Sequence, residues 1–401
     1  MLAHVLAADP LLAGDIDLAV VLVVLLKTVV AFTLLLVSVL FMVWFERKVI
    51  GDLQNRLGPN RAGPFGLFQT VADGLKFFMK EDQVPDRADR RIFVLAPYLT
   101  AVPAFLVFAV IPVGGDFTGG RDGTVEIFGR TTFLQLADPP VGVLLILAMS
   151  SIAVYGIMLA GWSSGSKYPL LGAVRASAQM VSYEAALGLS VVTVVLTAGT
   201  LSTNGIVASQ STWSWNLWVT GFVPFVIFLI AATAELNRPP FDLVEAEQEL
   251  VGGFNTEYAS FRFALFFLAE FMNTVTMSAI IVTLFFGGPS GPVPVGPGWL
   301  WGTVWFTVKL FVFLFMFVWF RATLPRVRYD QLMDLGWKVL IPLALGWLLI
   351  VAGYRVGDDE GWNPLVVPVV GAAAVAACYG LLALALRAAR RARRLDEEVG
   401  A

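Results

Sequence analysis

The chain has 401 residues, of which 58% are hydrophobic, 14% are charged and 31 are Phe. This composition excludes a large soluble enzyme and predicts an all-α polytopic membrane protein, because each span needs about 20 largely apolar residues. The net charge of −3 identifies no partner, and no feature indicates nucleic-acid binding.

Apolar segments predict nine membrane spans in chain order. Their approximate limits are 18–45, 93–113, 141–162, 176–198, 217–234, 260–286, 299–320, 337–353 and 366–386. The first exceeds one bilayer thickness, which favours a tilted helix. Residues 1–17 before it are acidic and contain no Lys or Arg, so they do not resemble a cleavable signal peptide.

The placement of basic residues predicts the orientation. Most of the 27 Lys and Arg residues fall in the tail and in the loops after spans one, three, five and seven. Under the positive-inside rule, the N-terminus then lies outside, and these loops and the C-terminus lie inside.

The first inner segment, 46–91, contains a pattern typical of an amphipathic helix. One face carries the apolar residues Leu67, Phe68, Val71, Leu75 and Phe78. The other face carries Gln69, Asp73, Lys76 and Lys80. We expect this helix to lie along the membrane interface or to pack beneath the spans. Asp73 then has a functional role or simply belongs to a solvated polar face.

The same segment carries a turn signal, Gly58-Pro59-Asn60, which presents Arg56 and Arg61.

The stock of metal and redox ligands is very small. One His and one Cys cannot form an internal disulfide or build an iron–sulfur, haem or zinc site. No Gly-rich phosphate loop occurs in a strand–helix context. We therefore predict no metal site and no redox centre in this chain.

The two halves of the chain show no internal repeat, which argues against a secondary transporter, because many transporter folds are built from repeats.

Four ionisable residues lie well inside predicted spans: Lys27, Glu184, Glu270 and Lys309. Each costs about 2.5–3.5 kcal/mol at a helix centre on insertion scales, so a functional role is the default hypothesis. The alternative is a buried ion pair or a hydrogen-bonded acid that fixes helix register.

Segment 234–254 concentrates charge at the boundary of a span. It holds five carboxylates and one base: Glu235, Asp242, Glu245, Glu247, Glu249 and Arg238. Carboxylates at this place indicate proton chemistry next to the membrane, because burial shifts a carboxyl pKa toward neutrality. A solvated acidic helix is the alternative interpretation.

Four further strings identify a resemblance. They are Arg56-Leu-Gly-Pro-Asn-Arg-Ala-Gly63, Gln69-Thr-Val-Ala-Asp-Gly-Leu-Lys76, Gly172-Ala-Val-Arg-Ala-Ser-Ala-Gln-Met-Val-Ser-Tyr-Glu184 and Arg321-Ala-Thr-Leu-Pro-Arg-Val-Arg-Tyr-Asp-Gln-Leu-Met333. With segment 234–254, they resemble the H-subunit family of NADH:quinone oxidoreductase, respiratory complex I. The resemblance covers about 17–352 and every inner segment.

The resemblance implies a division into two parts. Residues 1–353 form a transmembrane domain of the H-subunit type, whose family usually has eight spans. Residues 354–401 form an extension with the ninth predicted span and a basic stretch, 387–394.

The family implies a function for the assembled complex. The chain would be a multi-pass subunit in the cell membrane that helps form a quinone chamber and couples quinone reduction to proton translocation. Quinone is the expected substrate, and no group is bound covalently. FMN and iron–sulfur clusters are expected only in partner subunits. The expected partners are peripheral quinone-site subunits, small membrane subunits, antiporter-like subunits and the lipid bilayer.

The resemblance also assigns roles to single residues. The quinone-chamber set is Glu46, Arg47, Arg56, Asp73, Phe241 and Asp242. The proton-path set is Glu184, Glu235, Glu270, Glu245 and Glu247. Quinone reduction is expected to alter the protonation of the acidic loop and of Glu235, and this change would pass to Glu184 and Glu270.

One position departs from the family pattern. Some relatives carry another Glu near Ser150-Ser151, where this chain has only hydroxyls. Water or a partner would then have to bridge the gap.

Three alternatives remain open at the level of sequence. A membrane-bound hydrogenase or a related ferredoxin- or F420-linked complex contains a similar subunit. An independent proton/cation antiporter belongs to another class, and the absence of repeats argues against it. A passive scaffold would use Glu184 and Glu270 only for structure.

Overall fold

A computed structural model of the chain describes residues 9–12, 17–210, 213–243 and 251–361. The fold is a bundle of α-helices. They are α1 (Leu18–Leu53), α2 (Gln69–Met79), α3 (Arg90–Phe108), α4 (Gly142–Ser163), α5 (Lys167–Ala198), α6 (Thr203–Ser209), α7 (Asn216–Val219), α8 (Val223–Glu235), α9 (Ser260–Phe285), α10 (Gly298–Thr323), α11 (Tyr329–Asp334) and α12 (Ile341–Asp359). A π-helical turn, Leu335–Leu340, joins α11 to α12.

The helices agree with the predicted class of protein. Within the described residues, seven helical segments are long and apolar enough to cross a membrane, and α8 is a shorter apolar helix. In chain order, these eight correspond to the first eight predicted spans, which confirms an all-α polytopic fold. The orientation stays a prediction, and so does the ninth span, because 366–386 and 387–394 lie outside the described residues. The predicted domain boundary at 353 falls within α12.

Several helix limits differ from the prediction for identifiable reasons. Helix α1 continues to Leu53, because charged straight-chain residues at its inner end are good helix formers. Helix α5 begins at Lys167, and its first turn tolerates Pro169 because the N–H groups there need no helical partner. Helix α8 begins only at Val223, since positive φ angles at Gly221 and Phe222 end the preceding helical turn.

A β-hairpin in the first predicted outer loop, between α3 and α4, was not predicted. Strands β1 (Thr124–Ile127) and β2 (Arg130–Phe133) pair antiparallel. The two residues between them, Phe128 and Gly129, both have positive φ, as a tight hairpin turn requires. The β-branched residues on both sides of Phe-Gly were the available signal.

The loops gather at two opposite ends of the bundle. At the predicted inner end, the Ser260 hydroxyl donates to the carbonyls of Phe77 and Lys80, and the Val327 N–H donates to the Pro240 carbonyl. The loops at the other end are joined by contacts such as the Asn204 amide donating to the Asp122 carbonyl. The inner segments therefore form one continuous structure although they are far apart in sequence.

The predicted amphipathic helix is present as α2. Asp73 points toward the bundle and accepts hydrogen bonds from Arg47 and Gln69. The apolar side chains of Leu75 and Phe78 are 56% and 69% exposed. The ring of Phe78 also lies against that of Phe261 on α9, with 5.1 Å between centroids. The helix is therefore attached through its polar side and its last turn, and most of its apolar face is exposed.

Helix α5 and the turn at Gly253–Asn255 approach each other closely at Gly172. A Cβ atom on Gly172 would lie 2.8 Å from Gly253 backbone atoms. We expect Gly172→Ala to cost about 1–3 kcal/mol by overpacking, because backbone must move to make room. Less chain should accumulate in membranes, with a lower melting temperature in detergent. The control is Gly188→Ala on the same helix, where a Cβ meets no atom within 4 Å. Equal behaviour of the two variants would contradict this prediction.

Candidate functional site

Glu46 is the centre of a buried charge cluster at the inner end. It lies near the end of α1 and is 5% exposed. Both carboxylate oxygens lie 3.3 Å from Nη1 of Arg238, and one of them also contacts Nη1 of Arg321. A buried carboxylate without a partner is strongly disfavoured, so these two arginines determine where three separate segments meet.

Arg238 connects this cluster to the interior of the bundle. Its guanidinium is almost fully buried, and Nη2 lies 3.1 Å from Oε1 of Glu270 on α9. The same group lies over the ring of Phe271, 4.5 Å from the ring centroid. One guanidinium thus pairs with Glu46 on one side and with an intramembrane carboxylate on the other. Its planar fork suits contact with two acids.

Two further ion pairs extend the cluster at its more exposed side. Arg326 Nη2 lies 3.1 Å from Asp242 Oδ2, and Arg47 pairs with Asp73. Four of the six predicted quinone-chamber residues, Glu46, Arg47, Asp73 and Asp242, therefore take part in ion pairs at the inner end.

The other two predicted chamber residues have different surroundings. Phe241 is 6% exposed and packs against the Tyr183 ring in the core. Arg56 is exposed and donates to the side chain of Gln54, its near neighbour in sequence.

Glu235 lies where three cavities meet. It is the last residue of α8 and is 8% exposed. Cavities of about 50, 20 and 40 Å³ are all lined by this residue. The first is also lined by Glu270, and the third by Asn273. Oε2 of Glu235 is buried without a hydrogen-bond partner among the described residues. Cavities of this size have room for a water molecule where polar groups such as Glu235 and Glu270 line them.

Glu184 on α5 belongs to the same group of acids. It is close enough to interact electrostatically with Glu235, and its Oε1 accepts a hydrogen bond from the Ser151 hydroxyl. Ser150 lines two of the three cavities together with Glu235. Three of the five predicted proton-path residues, Glu184, Glu235 and Glu270, are therefore brought together. Glu245 and Glu247 lie outside the described residues.

Gln179 holds the start of the acidic segment in place. It is fully buried on α5, and its Nε2 donates to the carbonyls of Ala234 and Phe241 at 2.7 and 2.9 Å. The sequence prediction did not include Gln179, Ser151 or Arg321 in the site. An amide side chain inside a predicted span was the available signal for the first of these.

A second anchor lies on the far side of the same segment. The ring of Tyr258 stacks on Phe93 with 4.0 Å between centroids, and its hydroxyl donates to the Phe93 carbonyl at 3.2 Å. Burial raises the pKa of Tyr258 to about 12, so this hydroxyl stays protonated and keeps donating at neutral pH.

The two intramembrane lysines lie at the opposite end. Lys27 pairs with Asp9 at 2.7 Å and contacts the hydroxyl of Thr132 on β2. Lys309 donates to three backbone carbonyls just after α9, at 2.7 to 2.9 Å. A cation satisfies such orphan carbonyls at a helix C-terminus. Both lysines have structural partners, which favours the alternative interpretation over a functional one.

Comparison with known proteins places the chain in a family. A family model described as NADH dehydrogenase matches residues 26–352. Proteins named as the H subunit of NADH-quinone oxidoreductase, from Frankia alni and Frankia casuarinae, are both 54% identical to it, over 343 and 356 residues. These alignments cover 84% and 87% of this chain and 74% and 76% of the relatives.

The chain belongs to the H-subunit family of NADH-quinone oxidoreductase. A third relative of the same name, from Streptomyces avermitilis, is 48% identical over 348 residues, with 85% of this chain and 75% of the relative covered. The family match includes every residue of the charge cluster around Glu46 and Arg238. Seven span-like helices among the described residues, together with this membership, make the chain a multi-pass membrane protein, which in bacteria lies in the cell membrane.

Proposed function

We propose that this chain is the membrane subunit of a proton-pumping NADH:quinone oxidoreductase that forms part of the quinone chamber and couples quinone reduction to proton translocation. The observation that carries the proposal is the position of Arg238. This residue joins Glu46, at the inner end, to Glu270, within the bundle. A change of charge at the inner end therefore acts directly on an intramembrane carboxylate.

This chain contributes residues around the quinone, and its partner subunits carry out the redox chemistry. Electrons from NADH pass through FMN and iron–sulfur clusters in peripheral subunits and reach quinone at the inner end. Reduction to quinol takes up two electrons and two protons. Small membrane subunits and antiporter-like subunits continue the arm beyond this chain. The division at residue 353 and the ninth span at 366–386 stay predictions from the sequence, because 362–401 lie outside the described residues.

The coupling step begins at the inner end. Proton uptake by the quinone changes the charge next to Asp73, Asp242 and the acidic loop with Glu245 and Glu247. Arg238 then pairs more strongly with one of its two acids and less strongly with the other. The less strongly paired acid gains affinity for a proton, because a neighbouring cation is what favours its charged form. The altered charge of that acid then changes the proton affinities of Glu235 and Glu184.

Isolation of the intact complex tests this assignment. The full-length chain is tagged in its native membrane, solubilised in mild detergent and analysed for partner subunits, flavin and iron. We expect FMN-containing and iron–sulfur subunits to copurify, together with NADH-dependent quinone reduction that acidifies one side of proteoliposomes. Copurification of a hydrogenase or of F420-reactive subunits, without NADH oxidation, would contradict the proposal in favour of the related complexes.

Asp73→Asn tests whether the inner end contacts quinone. The exchange weakens the partly exposed pair that holds Arg47 in place, which is worth about 0.2–1 kcal/mol. If all of that energy serves to position groups that bind quinone, KM for a short-chain quinone rises by about fivefold, which is the upper limit we expect. NADH oxidation by a soluble artificial acceptor should not change, because that reaction needs only the peripheral subunits. The matched control is Asp52→Asn, which makes the same exchange at an exposed acid near the inner end of α1. An unchanged KM for quinone in Asp73→Asn would remove this residue from the chamber.

A further inference from the structure

We propose that the hydroxyls of Ser150 and Ser151 relay protons between Glu235 and Glu184. This inference rests on the proposed function, and it assigns part of the proton path to two residues outside the predicted set of carboxylates. The two serines are consecutive residues of α4, and the acids that flank them belong to α8 and α5.

Ser151 contacts one of the two acids directly, and Ser150 faces the same cavities as the other. Ser151 Oγ donates to Glu184 Oε1. Ser150 and Glu235 line the same two cavities. Both hydroxyls also approach the Leu147 carbonyl, at 3.1 Å for Ser150 and 3.0 Å for Ser151. A serine hydroxyl is at once a donor and an acceptor, so it can receive a proton on oxygen while it gives its own away.

The space beside these groups is suited to water. Ser150 and Glu235 together line cavities of about 20 and 40 Å³, and the larger one also exposes the Asn273 side chain. Oε2 of Glu235 is buried and unpartnered among the described residues, so it offers one end of a hydrogen-bonded chain. A cavity above about 15 Å³ holds a water molecule when two or more polar groups surround it.

The transfer changes no carbon bond and moves no electrons. The Glu235 carboxyl gives its proton to the Ser150 oxygen or to cavity water, and each receiving O–H group releases its own proton to the next oxygen. Ser151 releases the last proton to the Glu184 carboxylate and recovers one from the chain of hydrogen bonds. One proton leaves Glu235 and one arrives at Glu184. A serine does not hold a charge at neutral pH, so this segment conducts protons but stores none.

The alternative is that both serines only bond back to the Leu147 carbonyl, as buried serines in helices commonly do. Ser190 on α5 provides the matched control. It is a buried serine whose hydroxyl donates to the Ala186 carbonyl at 3.3 Å. A purely structural role predicts that Ser150→Ala and Ser151→Ala behave like Ser190→Ala.

The experiment measures protons pumped per NADH oxidised by the intact complex in proteoliposomes, in H₂O and in D₂O. We expect the double variant Ser150→Ala/Ser151→Ala to lower quinone-coupled pumping at least about tenfold, the scale of a lost proton-transfer group. Ser150→Thr/Ser151→Thr, which retains the hydroxyls, should recover most of the pumping, and the solvent isotope effect should be larger than in the wild type for any single Ser→Ala variant that still pumps. Ser190→Ala should pump normally.

Two outcomes would overturn the relay. Wild-type pumping and an unchanged isotope effect in the double alanine variant would exclude the hydroxyls from the path. If Glu235→Gln then still abolishes pumping, the proposed function stands and only the relay fails. Failure of the threonine variant to recover pumping, at normal assembly, would likewise assign the loss to packing.

Discussion

Arg238→Met is expected to destabilise the chain by about 3–5 kcal/mol and to prevent accumulation of the assembled complex. The reason is that removal of one partner from a buried ion pair leaves an uncompensated charge in a region of low dielectric. Here a single substitution leaves Glu270 without its cation and removes one of the two cations at Glu46. Immunoblots of membranes and native gels of the detergent-solubilised complex measure the effect.

A second substitution separates charge from packing. Arg238→Met/Glu270→Gln removes both the cation and the acid that would lose its partner, while Glu46 keeps Arg321. We expect this double variant to recover much of the assembly, because neutral groups cost far less to bury than an isolated charge. Arg47→Met is the control. It removes the more exposed pair with Asp73, and its effect on the free energy of unfolding should be only about 0–1 kcal/mol. An Arg238→Met variant as stable as Arg47→Met would show that the cluster does not depend on its buried guanidinium.

The fold was predictable from the sequence to the extent that it depends on local patterns. Long apolar segments fixed the order of eight helices, because a span must satisfy its backbone internally. The hairpin at Thr124–Phe133 was missed because each strand has only four residues and the surrounding loop is rich in Gly and Pro, a composition typical of irregular structure. The limits of α5 and α8 depended on Pro169 and on positive φ angles, which hydropathy does not record.

The site was predictable as a set of residues but not as a set of pairs. Burial of a carboxylate in an apolar segment identified Glu184 and Glu270. Which cation each acid would meet depends on tertiary packing. Arg238 and Glu46, for example, are separated by 192 positions in the sequence. The same limit explains the two lysines, since nothing local to Lys309 indicates that it would cap a helix that ends at Phe285.

Glu235→Gln is expected to abolish coupled activity while leaving the complex assembled. Glutamine has nearly the same shape as glutamate, so packing at the end of α8 is retained, but the amide cannot accept and release a proton. Quinone-coupled turnover and proton pumping should fall about 10²-fold, within the range for loss of a proton-transfer group. NADH oxidation by a soluble artificial acceptor should be unchanged. Proteoliposomes containing the purified complex allow all three rates to be measured on one preparation.

Matched variants decide whether this loss reports proton transfer or only the shape of the cavities. Glu126→Gln makes the same chemical change at an exposed residue of β1 and should leave every rate unchanged. Glu235→Asp keeps an ionisable group one methylene further from the three cavities, so it should retain part of the pumping that Glu235→Gln loses. A role limited to loop geometry predicts the reverse order, because aspartate disturbs packing more than glutamine does. Wild-type turnover and pumping in Glu235→Gln would exclude this carboxylate from the path, and the connection from Arg238 would then have to run through Glu270 alone.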